Sequence, residues 1–239
     1  MTTVISLSNE YCSIIITDNR ENYGCLGELG YEDGRTKLIN IPDMGWVCGA
    51  GLADFLDLLK DTLSKSKITT TDDIESVYKK VISEYKNNNN DFEEDIKSSV
   101  MIASWIGFDG EDIFFRTGTM SEKHFEKNLY CIGENYINIV YPGDYLNELD
   151  KVEELENKFE LNVEEKDFFT ILNYLLKIFN YISNNSNTVS TTCDIGIQIL
   201  QADGIYKLKI SGEVEELISL IETDNIGSKI EIISVMASS

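Results

Sequence analysis

The stretch MTTVISLSNEYCSIIITDNR, residues 1–20, decides how this chain is read. Two β-rich runs, Val4–Ser8 and Cys12–Thr17, flank the turn-like pair Asn9-Glu10, so the stretch reads as a hairpin. Its second arm ends on Asp18-Asn19-Arg20, residue types that suit a strand end. Threonines occupy positions 2 and 3, at the very start of the first arm. No basic n-region leads into an apolar h-region, so no signal peptide is expected.

Further strands and helices follow in groups. KLINI (37–41) and MGWVCGA (44–50) read as strands around a Pro42-Asp43 turn. Leu52, Phe55, Leu56, Leu59 and Leu63 recur at helical spacing, as do Ile74, Val77, Tyr78, Val81, Ile82 and Tyr85. Asp72 with Glu75 resembles a capping box for the second helix, and the Asn run 87–90 ends it. A hairpin is expected over 98–118 across Asp109-Gly110-Glu111, then a short strand over 128–133. Helices near Asp150–Phe159 and Asp167–Ile182 come next. A hairpin across Asp203-Gly204, a helix at Glu213–Glu222 and a strand at Lys229–Val235 close the chain. Strands grouped as hairpins predict antiparallel sheets that paired helices can cover. The expected architecture is α+β, most simply two stacked sheets between two helical layers, as a single domain over residues 1–239.

Composition narrows the chemistry. Acidic residues outnumber basic ones 42 to 20, a net charge of −22, so nucleic acid is not an expected partner. No apolar run reaches the length of about 18 residues that a membrane span needs. Cys12, Cys25, Cys48, Cys131 and Cys193 form no C-x-x-C pair, and a reduced, cytoplasmic protein is expected. No metal site or cofactor is expected: there is one histidine, His124, in a polar setting, and no phosphate-binding glycine loop. The acidic stretch 144–167 lacks the spacing of a calcium loop and reads as solvated helix. One catalytic design needs no histidine. A threonine at a mature N-terminus offers a hydroxyl nucleophile and its own α-amine, with a pKa near 7.7–8.0, as base. It asks for a buried lysine and a carboxylate to hold that lysine.

Here the residues resemble a known family. The opening stretch, with Thr2 sixteen residues before Asp18 and a D-x-R motif at Asp18-Asn19-Arg20, resembles the start of proteasome β subunits and of the HslV peptidase. Those are N-terminal-nucleophile (Ntn) hydrolases. Lys37 before LINI, CGAGLADFLDLL (48–59) and the hairpins at 100–115 and 193–208 extend the resemblance over most of the chain. It implies a four-layer αββα sandwich and a threonine-type peptidase. Thr2 would be nucleophile, Lys37 would lower its pKa, and Asp18 would orient Lys37. A backbone N–H near Gly49–Gly51 would face the oxyanion, and Arg20 would brace the fold. The resemblance also implies a homo-oligomer, with a ring as its candidate geometry, and a peptide substrate or an unfoldase as candidate partners.

Departures keep two alternatives open: a non-catalytic assembly or binding protein of this fold, and a small-amide hydrolase on it. The stretch from Asp18 to Lys37 is longer than the family's and reads as an enlarged loop over 21–36. Glu134 follows CIG where a small hydroxyl residue is expected, placing a carboxylate near Thr2 or Lys37. Before the late hairpin stand Thr188, Ser190 and Thr191 in place of the family's Asp and Ser-Gly-Gly. Activity further requires that Met1 be removed.

Overall fold

A computed structural model describes residues 2–24, 27–110, 112–163 and 167–237. Met1, Cys25, Glu111 and residues 164–166 of the acidic stretch lie outside them. The first hairpin is β1 (Val4–Ser8) and β2 (Cys12–Asp18), followed by a two-stranded ribbon, β3 (Glu21–Asn22) and β4 (Tyr31–Glu32). The ribbon lies within the span read as a loop. Next come β5 (Ile39–Ile41), β6 (Gly45–Ala50), α1 (Ala53–Lys65), α2 (Thr71–Asn88) and α3 (Glu93–Ser98). Then follow β7 (Val100–Asp109), β8 (Asp112–Met120), α4 (Glu122–Phe125), β9 (Tyr130–Cys131) and β10 (Asn138–Val140). Helices α5 (Gly143–Asn147), α6 (Leu149–Lys158) and α7 (Phe168–Asn185) lead to β11 (Thr192–Gln201), β12 (Gly204–Glu213), α8 (Val214–Glu222) and β13 (Glu231–Ala237).

Two antiparallel sheets result, ordered β10-β1-β2-β11-β12-β13 and β5-β6-β7-β8-β9. Strand alternation sorts their side chains to opposite faces. Ile14 and Ile16 of β2 join a core with Leu172, Leu175 and Phe179 of α7. Ile15, between them, joins a second core with Val4, Trp46, Cys48 and Ile102, drawn from both sheets. Val47 and Ala103 belong to a third core with Phe55 and Leu59 of α1 and Tyr78 of α2.

The sheets approach closely where Gly196 of β11 meets Trp46 of β6. A Cβ on Gly196 would sit 2.4 Å from the indole Cγ, while Trp46 Nε1 donates to Ile197 O at 3.1 Å. Lys207 of β12 is a second tie, donating to the carbonyls of Ile41 (3.1 Å) and Pro42 (2.9 Å). One local expectation is corrected. The box that starts α2 is Thr70 with Asp73, not Asp72 with Glu75. Thr70, in extended conformation, can receive the Asp73 N–H, and the Asp73 carboxylate reaches back to the Thr70 N–H. Among the described residues, no helix is long and apolar enough to cross a membrane.

Candidate active site

The β1–β2 hairpin sets the site. Its register pairs Val4 with Thr17, so Thr3 falls opposite Asp18 and its N–H donates to Asp18 Oδ1 at 3.1 Å. Asp18 is fully buried, and Oδ2 also receives the Arg20 N–H at 2.9 Å. Lys37, just before β5, reaches into this corner. Its Nζ lies 2.6 Å from Thr2 Oγ1 and 3.0 Å from Asp18 Oδ2. One ammonium thus spans a hydroxyl and a carboxylate.

Thr2 and Lys37 line a cleft with Gly49 and Gly51 at the end of β6, and with Ala53 and Leu56 of α1. The cleft holds about 440 Å³, open solvent included. Gly51 has φ +133°, and a Cβ there would meet Ser99 Oγ at 2.3 Å, so the turn from β6 into α1 requires glycine. The sequence-predicted residues Thr2, Asp18, Lys37, Gly49 and Gly51 are therefore gathered at one place.

Burial pulls the Lys37 ammonium below its ordinary range, and the Asp18 charge opposes that pull. Burial also pushes Asp18 upward, opposed by Lys37 and by the N–H groups of Arg20 and Thr3. With three donors on one carboxyl, Asp18 is built to hold negative charge, and that charge holds Lys37 in place.

Arg20 braces the ribbon. It forms two bonds to Asp33, at 2.8 and 3.0 Å, donates to Asn187 O at 3.0 Å, and stacks over Tyr31. The enlarged segment is thus taken up by the ribbon and leaves Lys37 against Thr2.

Glu134 is placed differently from expectation. It is paired with Arg116 of β8 at 2.6 Å. The strand beside β1 is β10, where Thr3 Oγ1 donates to Val140 O at 3.0 Å. Tyr141, Pro142 and Gly143 follow at that place. Ser190 accepts the Asn19 N–H at 3.0 Å and Thr188 bonds Asp144 at 3.1 Å, while Thr191 bonds Glu213 at 3.1 Å. These hydroxyls brace the loop before β11. His124 lies on α4 and lines a separate surface depression with Phe125 and Tyr130.

Sequence reasoning missed the charged wall of the cleft. Arg35 pairs with both Glu21 and Asp57, and Lys60 pairs with Asp57 at 2.9 Å. The i,i+3 spacing of Asp57 and Lys60 was the only local signal. Asn19 Nδ2 to Asp194 Oδ2, at 3.0 Å, was also missed, since it joins residues far apart in sequence.

Two hairpin-built sheets, with Thr2 and Asp18 at the ends of the β1–β2 hairpin and Lys37 reaching them from the approach to β5, define the class of fold. No family model matches the chain, and no curated protein matches it. Among solved structures the chain is similar to a mutant of Anbu from Hyphomicrobium sp. strain MC1, with TM-score 0.60 and 11% identity, covering 95% of this chain and 97% of that one. At that identity the likeness bears on the fold alone, and it supports a proteasome-like Ntn fold at a distant level.

Proposed function

We propose that this chain is a single-domain, four-layer Ntn hydrolase that cuts peptide amide bonds with Thr2. The observation that carries the reading is Lys37 Nζ within hydrogen-bond reach of both Thr2 Oγ1 (2.6 Å) and the buried Asp18 (3.0 Å). After removal of Met1, the Thr2 amine takes the hydroxyl proton as Oγ1 attacks the carbonyl carbon. Lys37 stabilises the developing alkoxide and disfavours protonation of the amine. A backbone N–H near Gly49–Gly51 faces the oxyanion. The amine returns the proton to the departing nitrogen, leaving an ester on Thr2. Water, deprotonated by the same amine, then hydrolyses that ester.

The three cores, one between the sheets and one under each helical group, fit the four-layer arrangement. The free thiols of Cys12, Cys48, Cys131 and Cys193 fit a reducing cytoplasm. Copies of the chain assemble as a homo-oligomer. The test is treatment with a peptide β-lactone, followed by peptide mapping, alongside hydrolysis of peptidyl-coumarin amides. Acylation on Thr2, with both acylation and turnover abolished in Thr2→Ala, is expected. Turnover that persists in Thr2→Ala, or a protein that neither turns over nor is acylated, would overturn the reading and favour a binding role.

A further inference from the structure

Among the described residues three lysines are buried: Lys37, Lys60 and Lys207. Lys37 has Asp18 as its counter-charge, and Lys60 has Asp57. Lys207, at 5% exposure, is paired with no carboxylate among the described residues; its Nζ donates to the carbonyls of Ile41 and Pro42. An ammonium carries three donors, so one is left over. A buried cation without a paired carboxylate is a costly arrangement, and burial pulls this ammonium down to about 8, so that at neutral pH it is still mostly charged. Lys207 also borders open space. It lines a cleft of about 670 Å³, open solvent included, that shares no lining residue with the cleft beside Thr2. Ile106, Ile205, Val235 and Met236 give this second cleft apolar walls, and Ser234 lies directly across the β12–β13 ladder from Lys207. Asp43 lines it too, but it is exposed, and its charge only moderates the pull of burial on Lys207.

We propose that this second cleft binds a small monocarboxylate with an apolar tail, its carboxylate against Lys207. The inference is independent of the hydrolase reading. The carboxylate supplies the paired counter-charge that Lys207 lacks and accepts its leftover donor in a charge-assisted bond. The Ser234 hydroxyl, on the same face of the ladder as Lys207, is a second donor to the same head group. The tail lies against Ile106, Ile205, Val235 and Met236. Val235 and Met236 are 51% and 41% exposed, and covering them removes apolar surface from water. Apolar walls around one charged group are what fixes the orientation of such a ligand. An alkylammonium of the same tail would set a like charge against Lys207, and an alcohol would bring no counter-charge. The chain carries a net charge of −22, so its long-range field draws cations and repels anions. A preference for the anion must therefore come from the cleft itself.

The experiment titrates hexanoate, hexanol and hexylammonium into the full chain by isothermal titration calorimetry. Hexanoate is expected to bind saturably, about tenfold or more tighter than either probe of the same tail. Lys207→Met should weaken hexanoate by about tenfold and bring it level with hexanol. Val235→Asp sets a carboxylate on the edge strand that lines the cleft and leaves both Lys207 hydrogen bonds in place. It should weaken hexanoate and leave hexylammonium no weaker, and this arm stands if Lys207→Met folds poorly. Thr2→Ala should bind hexanoate as wild type does, which separates this cleft from the one beside Thr2. Hexanoate binding no tighter than hexanol or hexylammonium, or no saturation in the millimolar range, would overturn the proposal. So would affinity lost in Thr2→Ala, or affinity unchanged in a folded Lys207→Met or in Val235→Asp.

Discussion

Lys37 and Asp18 form an ion pair from which water is nearly excluded, with side chains 9% and 0% exposed. A buried pair contributes little net stability, but breaking it leaves a charge without a partner. Asp18→Asn should therefore cost about 3–5 kcal/mol in urea unfolding, because Lys37 keeps its burial and loses its counter-charge. The double variant Asp18→Asn/Lys37→Met should be more stable than Asp18→Asn alone. Equal stability of the two would show that the pair is not coupled. Thr2, Asp18 and Lys37 were singled out by resemblance to the family's motif, with sixteen residues from Thr2 to Asp18 and Lys37 before LINI, and the structure brings Lys37 into contact with both of the others. Glu134 was misplaced because the sequence cannot show which segment pairs with the free edge of β1. That edge is taken by β10, more than a hundred residues away.

At the scale of elements, long amphipathic helices were readable from period, and hairpins from β-rich runs flanking turn residues such as Asp203-Gly204. The ribbon β3–β4 and the short helices α3, α4 and α5 were not, since two to six residues carry no usable period. The tie between β12 and the β5–β6 turn was hidden for another reason: Lys207 looked like any strand lysine until both sheets were stacked. Burial pulls its ammonium down to about 8 from 10.5. Between those values the folded protein binds fewer protons than the unfolded chain, so stability rises with pH there. The contribution is fully present above 10.5 and is lost as pH falls through about 8. From pH 8 to 10, wild type should gain stability relative to Lys207→Met, read from urea midpoints. Parallel midpoints across that range would contradict the assignment.

The whole molecule carries a net charge of −22, which makes copies of it repel one another at low ionic strength. If the chain assembles as proposed, sedimentation should find species larger than the 27.1 kDa protomer, favoured as salt shortens the range of repulsion. A protomer mass at all salt concentrations would contradict assembly. The fold places Thr2 Oγ1, Lys37 and Asp18 in one line of contact, and everything catalytic then turns on whether the Thr2 nitrogen is a free amine. The direct measurement is the intact mass of the protein from its own host, before and after a peptide epoxyketone, which needs the hydroxyl and the amine of one residue together. The account predicts a chain lacking Met1 that gains one inhibitor mass on its N-terminal peptide. A native chain that retains Met1 and gains no mass would contradict it.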